Sequence, residues 1–254
     1  MADFEWSKLA FGSKKPLNEL QAIFVAAPRE ISAERFRQLV AANLPKSNMI
    51  IGIAKEDFVR GFEGQPQFRT LKLRDIQPII DRVNRNASVK HKIYTMEYAG
   101  ADLVHILEKC RFKKVILING SWLYAFHVTK PYYVLSEKAI PHELVSPFTD
   151  EAEAMDYDKR LRSRIHNAIP LPKPGELLTD AQMMQSAETA GKRSYDYNFQ
   201  TGLVLGKRAS GKKPGYHFLA AMHNKIVPYE TYAMHHGAAR ERNFSPPHDL
   251  NHYD

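Results

Sequence analysis

Four short apolar runs, separated by stretches with helical spacing, constrain the first half of this 254-residue chain more than any other feature in it. Gln21-Ala22-Ile23-Phe24-Val25-Ala26-Ala27 is stopped by Pro28, and Asn48-Met49-Ile50-Ile51-Gly52-Ile53 gives way to a polar, glycine-bearing stretch. Lys92-Ile93-Tyr94-Thr95-Met96 and Lys114-Val115-Ile116-Leu117-Ile118-Asn119 complete the set. Runs this length that are continuously apolar suit strands covered on both faces, as a parallel sheet requires. Between them the spacing changes. Ser32 offers an N-cap oxygen with Glu34 in the first turn, and Phe36, Leu39 and Val40 follow at helical intervals. Ile76, Ile79, Ile80 and Val83 mark a second helix, and residues 101–109 a third. The order β-α-β-α-β-α-β, with crossovers of about 20 residues, predicts an α/β, doubly wound, parallel, Rossmann-like sheet. Tyr132-Tyr133-Val134-Leu135 reads as a fifth strand. A long helix is expected next, capped by Ser146 or Thr149, with Asp150, Glu151 and Glu153 at its start and Lys159, Arg160, Arg162 and Arg164 towards its end.

Three prolines in five positions, Pro170, Pro172 and Pro174, cannot continue that helix and read as an extended linker. The expected division is therefore an α/β nucleotide-binding-like domain at 1–169, a linker at 170–178 and a second module at 179–254. Thr179 and Gln182 have capping-box spacing, opening a helix that carries Met183, Met184 and Ala187. Residues 201–205 and 216–222 then read as two strands around a Gly/Lys-rich turn.

At 44% hydrophobic and 25% charged residues the composition is that of a globular protein, not a disordered or fibrous one. No apolar run approaches the roughly 20 residues of a membrane-spanning helix. The opening residues show no secretory pattern, so the expected location is cytoplasmic and no membrane partner is expected. A net charge of +8 favours anionic partners, nucleotides or nucleic acid, although the excess is spread along the chain.

In an open parallel sheet, ligands gather beyond the carboxyl ends of the strands. That makes Pro28-Arg29, Ala54-Lys55-Glu56, Glu97-Tyr98-Ala99-Gly100 and Asn119-Gly120-Ser121 the positions to weigh. Asn119 and Ser121 suit a ribose or phosphate, and Gly120 allows close backbone approach; the competing reading is a plain turn. Neither G-x-G-x-x-G nor G-x-x-x-x-G-K-[ST] occurs in the chain. Gly61-Phe62-Glu63-Gly64 reads as a surface loop before a phosphate cradle. Lys207-Arg208 and Lys212-Lys213, near Tyr216 and Phe218, suit phosphate contacts or, more simply, a solvated hairpin turn. Cys110 stands between two cations, a setting for a reactive thiol, yet core filling is the simpler role. As the single cysteine it forms no intramolecular disulfide and no zinc site that needs two thiolates. His235-His236 and His248-x-x-x-His252 resemble metal ligands by count but read as solvated loop residues.

Residues 187–192, Ser194, Gln200-Thr201-Gly202-Leu203-Val204-Leu205 and Met222-His223-Asn224-Lys225-Ile226-Val227-Pro228 together resemble the opening third of the cytidine and deoxycytidylate deaminases, the zinc deaminase family. The resemblance implies a small α+β module with antiparallel strands, a helix from Asp180 burying Met183, Met184 and Ala187, and Asn224 in a substrate pocket. It further implies a variable segment at 232–254. The family's chemistry is zinc-dependent hydrolytic removal of an amino group from a cytosine nucleotide, which needs H-x-E or C-x-E and then P-C-x-x-C. Neither motif is present, and His142-Glu143 has the wrong spacing. The expectation is thus a nucleotide-metabolism or nucleotide-signalling protein, with no cofactor in these residues and zinc only if the natural protein continues past Asp254. Without its zinc-bearing helices such a module would expose apolar sheet, to be covered by an oligomer or a partner protein. Two other classes compete: a non-catalytic nucleotide- or nucleic-acid-binding subunit, and an α/β nucleotide hydrolase or transferase using Asn119-Gly120-Ser121.

Overall fold

The computed structural model describes residues 16, 18–122, 126–196, 198–210 and 214–237. The apolar runs become strands β1 (Leu20–Val25), β2 (Asn48–Ala54), β3 (Ile93–Tyr98) and β4 (Phe112–Ile118), and a fifth, β5 (His142–Val145), joins them. All pair in parallel, in the order β3-β2-β1-β4-β5. Side chains alternate along each strand, so β1 to β4 each feed two cores. Ile23 and Val25 of β1 pack with Ile51, Ile53, Ile116 and Ile118 beneath α1 (Ala33–Asn43) and α2 (Leu73–Arg85). Ala22 and Phe24 pack on the opposite face with Val115 and Leu117, beneath α3 (Leu103–Lys109) and α4 (Lys130–Glu137). Helices of the first two crossovers thus cover one face and those of the next two the other, which is the doubly wound arrangement.

Local chemistry sets these helices. Ser32 Oγ accepts from the Arg35 N–H at 3.0 Å, and Phe36, Leu39, Val40 and Asn43 form the buried stripe of α1. The expected strand at 132–135 is instead part of α4: Pro131 in the first turn favours a helix start, and only Leu135 is buried. Ser146, considered above as a helix cap, accepts from the Phe148 N–H at 3.0 Å.

The chain forms two compact units, which divide it differently from the proline stretch. One takes residues up to Val59, Thr70–Glu151 and the chain from Ala233; the other takes Arg60–Arg69 and Ala152–Tyr232. The residues expected as a linker lie inside the second unit. The reason is pairing: Gly175 N–H donates to Phe218 O at 2.7 Å, Phe218 N–H donates to Glu176 O at 2.8 Å, and β6 (Leu177–Leu178) pairs with β8 (Tyr216–His223). Extended proline backbone here feeds an edge strand.

In that second unit α5 (Glu151–Ala168) precedes α6 (Asp180–Gly191), and β7 (Gly202–Arg208) runs antiparallel to β8. Thr179 and Gln182 form the expected capping box. α6 packs mainly through its small residues, with Met183 half-buried against Gly206 of the sheet. Ser186, Ala190 and Gly191 are buried, whereas Met184 is 67% exposed, contrary to expectation. Glycines on β7 permit this approach: a Cβ on Gly202 would lie 1.8 Å from Ala187 O, and one on Gly206 2.5 Å from Met183 Cε. The other face of β7–β8 carries Leu203, Leu205 and Met222, each about 60% exposed. The segment around Gly61 and Gly64 is stitched into this unit: Gln67 Nε2 donates to Lys192 O and Ser194 O at 2.8 and 2.9 Å. Among the described residues no helix is long and apolar enough to cross a membrane.

Candidate functional site

The chain leaves β1 and β4 towards opposite faces of the sheet, so a crevice opens between their carboxyl ends. Two of the anticipated residues meet there. Ser121 Oγ accepts from the Arg29 N–H at 2.9 Å, tying the loop after β1 to the loop after β4. A hydroxyl used as acceptor keeps its own proton to donate. Asn119 N–H extends the ladder to Val145 O at 2.9 Å, and its side-chain Nδ2 donates to His235 O at 3.4 Å, which leaves Oδ1 to accept from a hydroxyl. Gly120 has φ of 79°, and a Cβ there would lie 2.9 Å from Met234 Cγ and 3.5 Å from an Arg29 guanidinium nitrogen. Glycine is therefore required for the turn, and it brings bare backbone beside a cation that is only 6% exposed.

The wall of the crevice is built by residues far away in sequence. Gly52 leaves room in β2 for the Tyr98 ring, whose hydroxyl accepts from the Ala27 N–H at 2.7 Å. Burial pushes that phenol well above its usual range. On the β5 side, Ser146 Oγ and His235 Nδ1 are 2.7 Å apart, and Arg35 Nε donates to Ser146 O at 3.1 Å. Burial, and then the neighbouring His236, push His235 below the ordinary imidazole range. His236 Nε2 lies 3.6 Å from Glu151 Oε1. Residues 233–237 thus close one side of the crevice over Asn119. Arg29, Tyr98, Ser146 and His235 carry the geometry here; the first two stand at or just after recognisable strand ends, whereas no strand end in the sequence marks Ser146 or His235.

Other candidates lie elsewhere. Asn224 follows β8, as the resemblance implies, but its side chain serves the fold: Oδ1 accepts from the Thr201 N–H at 2.9 Å and Nδ2 donates to Asp196 at 3.4 Å. Cys110 is in the core of the first unit, and burial pushes its thiol up to about 11. The zinc-deaminase donor set, which needs two thiolates, does not fit a chain whose one cysteine is buried in this way. Among the described residues no three His, Cys, Asp or Glu side chains cluster as metal ligands do. Lys212, Lys213, His248 and His252 fall outside the described residues. Comparison of the chain with protein-family models, with curated proteins and with solved structures found no match.

Proposed function

We propose that this is a nucleotide-binding protein of nucleotide metabolism or signalling, whose first unit takes the ligand at the crevice between β1 and β4. The observation that carries the reading is the meeting of Arg29, Asn119, Gly120 and Ser121 at the point where the strand order reverses. Those groups supply a cation, an amide, a hydroxyl and a half-buried glycine turn, the set that holds a phosphate or a ribose. The relation of the second unit to the cytidine and deoxycytidylate deaminases is part of the proposal. It is supported by the antiparallel β7–β8 pair, by α6 packed on one face of it, and by the apolar opposite face.

Calorimetric titration with CMP, dCTP, AMP and ATP tests both parts. Cytosine nucleotides should bind more tightly than purine nucleotides, and Asn119→Asp, which sets a carboxylate beside the phosphate, should weaken them at least tenfold. Equal affinity for purine nucleotides would favour the plain binding-subunit reading, to which the tied side chain of Asn224 already points. Binding unaffected by Asn119→Asp, or no binding, would overturn the placement.

A further inference from the structure

In the second unit, Arg162 and His166 lie one turn apart on α5, Arg193 and Tyr195 follow α6, and His223 and Lys225 sit at the end of β8. These residues, with Ile165 and Glu230, line a cavity of about 110 Å³. The buried carboxylate in its lining, Glu230, and a second behind the lining, Asp158, are both engaged. Asp158, behind Arg162, takes that guanidinium at 2.6 Å and the Thr231 N–H at 3.2 Å. Glu230 lies 3.6 Å from His223 Nε2 and accepts from the Ile226 N–H at 3.1 Å. They fix the framework, and they leave a surplus of donors. Tyr195 is only 5% exposed, yet its hydroxyl has no hydrogen-bond partner among the described residues. Lys225 pairs with no acidic group among the described residues, and Arg193 uses Nε and Nη2 on a single carbonyl, that of Ile169. Burial and the like charges of Arg193, His223 and Arg162 push His166 below its ordinary range.

A buried donor without an acceptor and a group of cations facing one space are both relieved by one polyvalent anion. We infer that this cavity binds a phosphoryl group, whose oxygens meet the Tyr195 hydroxyl, the Lys225 ammonium and the remaining N–H groups of Arg162 and Arg193. Donors that arrive from three separate elements match a tetrahedral group with several oxygens better than a planar carboxylate. The space is well below the roughly 300–1,000 Å³ that encloses a drug-sized ligand. It takes a phosphoryl group, and any attached nucleoside lies outside.

This site is independent of the crevice in the first unit, and one experiment separates the two. The full chain is titrated at constant ionic strength with inorganic phosphate, CMP and cytidine. Phosphate should bind the unaltered protein. Tyr195→Phe, which keeps the ring and removes only the donor, should weaken it about tenfold. Lys225→Met, at an exposed side chain, should weaken it severalfold, and the component of binding lost in Tyr195→Phe should persist in Asn119→Asp. CMP binding that is tighter than phosphate and sensitive to Tyr195→Phe identifies a nucleotide as the source; equal affinities identify free phosphate. Absence of phosphate binding, or binding that responds to Asn119→Asp and to neither cavity variant, would overturn the inference.

Discussion

Single atoms decide several features of this chain, and glycine shows it most clearly. A methyl group on Gly202 would meet backbone, Ala187 O at 1.8 Å and Gly191 N at 2.5 Å, and backbone on a packed helix has nowhere to go. On Gly206 the first obstacle, at 2.5 Å, is the tip of Met183, which can swing away. Gly202→Ala should therefore cost about 3 kcal/mol and Gly206→Ala about 1 kcal/mol or less. Urea unfolding of the two variants measures the difference; equal losses would mean that α6 does not rest on β7 as described. Cys110 makes a second test. Its thiol, with a pKa of about 11 and 1% exposure, should resist alkylation at pH 8 in the native protein and react readily in denaturant. Fast native labelling would contradict its place in the core. His235 makes the third. Its folded pKa lies below the ordinary 6.5, so the unfolded chain takes up the proton first as pH falls. Stability should hold above that range and fall as the pH drops through it, and His235→Gln should flatten the slope between pH 7.5 and 5.5. An unchanged slope would show that His235 is as solvated in the fold as in the unfolded chain.

At the level of elements, legibility followed the density of apolar residues. β1, β2 and β4 were plain because each is buried on both faces and so written in nearly consecutive apolar residues, whereas β3, an edge strand with Thr95 and Glu97 exposed, is marked by Ile93, Met96 and Tyr98. β5 was not, because His142 and Glu143 stand at a sheet edge where water takes half the strand. Residues 132–135 were misread for the converse reason. Four apolar residues are too few for periodicity to separate strand from helix, and Pro131 was the signal that decides it. α6 misled through its methionines, since close helix-on-strand packing selects small residues and leaves Met184 outside. The crevice was half legible. Asn119 and Ser121 follow a recognisable strand end, whereas the pairing of Ser146 with His235 spans 89 residues and has no local pattern.

At the scale of the whole molecule, the chain crosses between its two units more often than a one-linker reading allows. Because α5 and β6 both belong to the second unit, cleavage in the exposed stretch 173–176 should not release a folded fragment ending near residue 168. The nicked pieces should coelute on a sizing column, held by the packing that α5 shares with the rest of that unit. A separate, stable N-terminal fragment would restore the boundary at the prolines. The positive charge of the chain should speed the encounter with a nucleotide and make it weaken with salt, but charge does not say where the ligand rests. Hydrogen–deuterium exchange with and without saturating nucleotide addresses that placement directly. Exchange should slow at residues 26–32 and 118–122, the two loops that leave the reversal point of the sheet. Protection that bypasses both loops would contradict the placement.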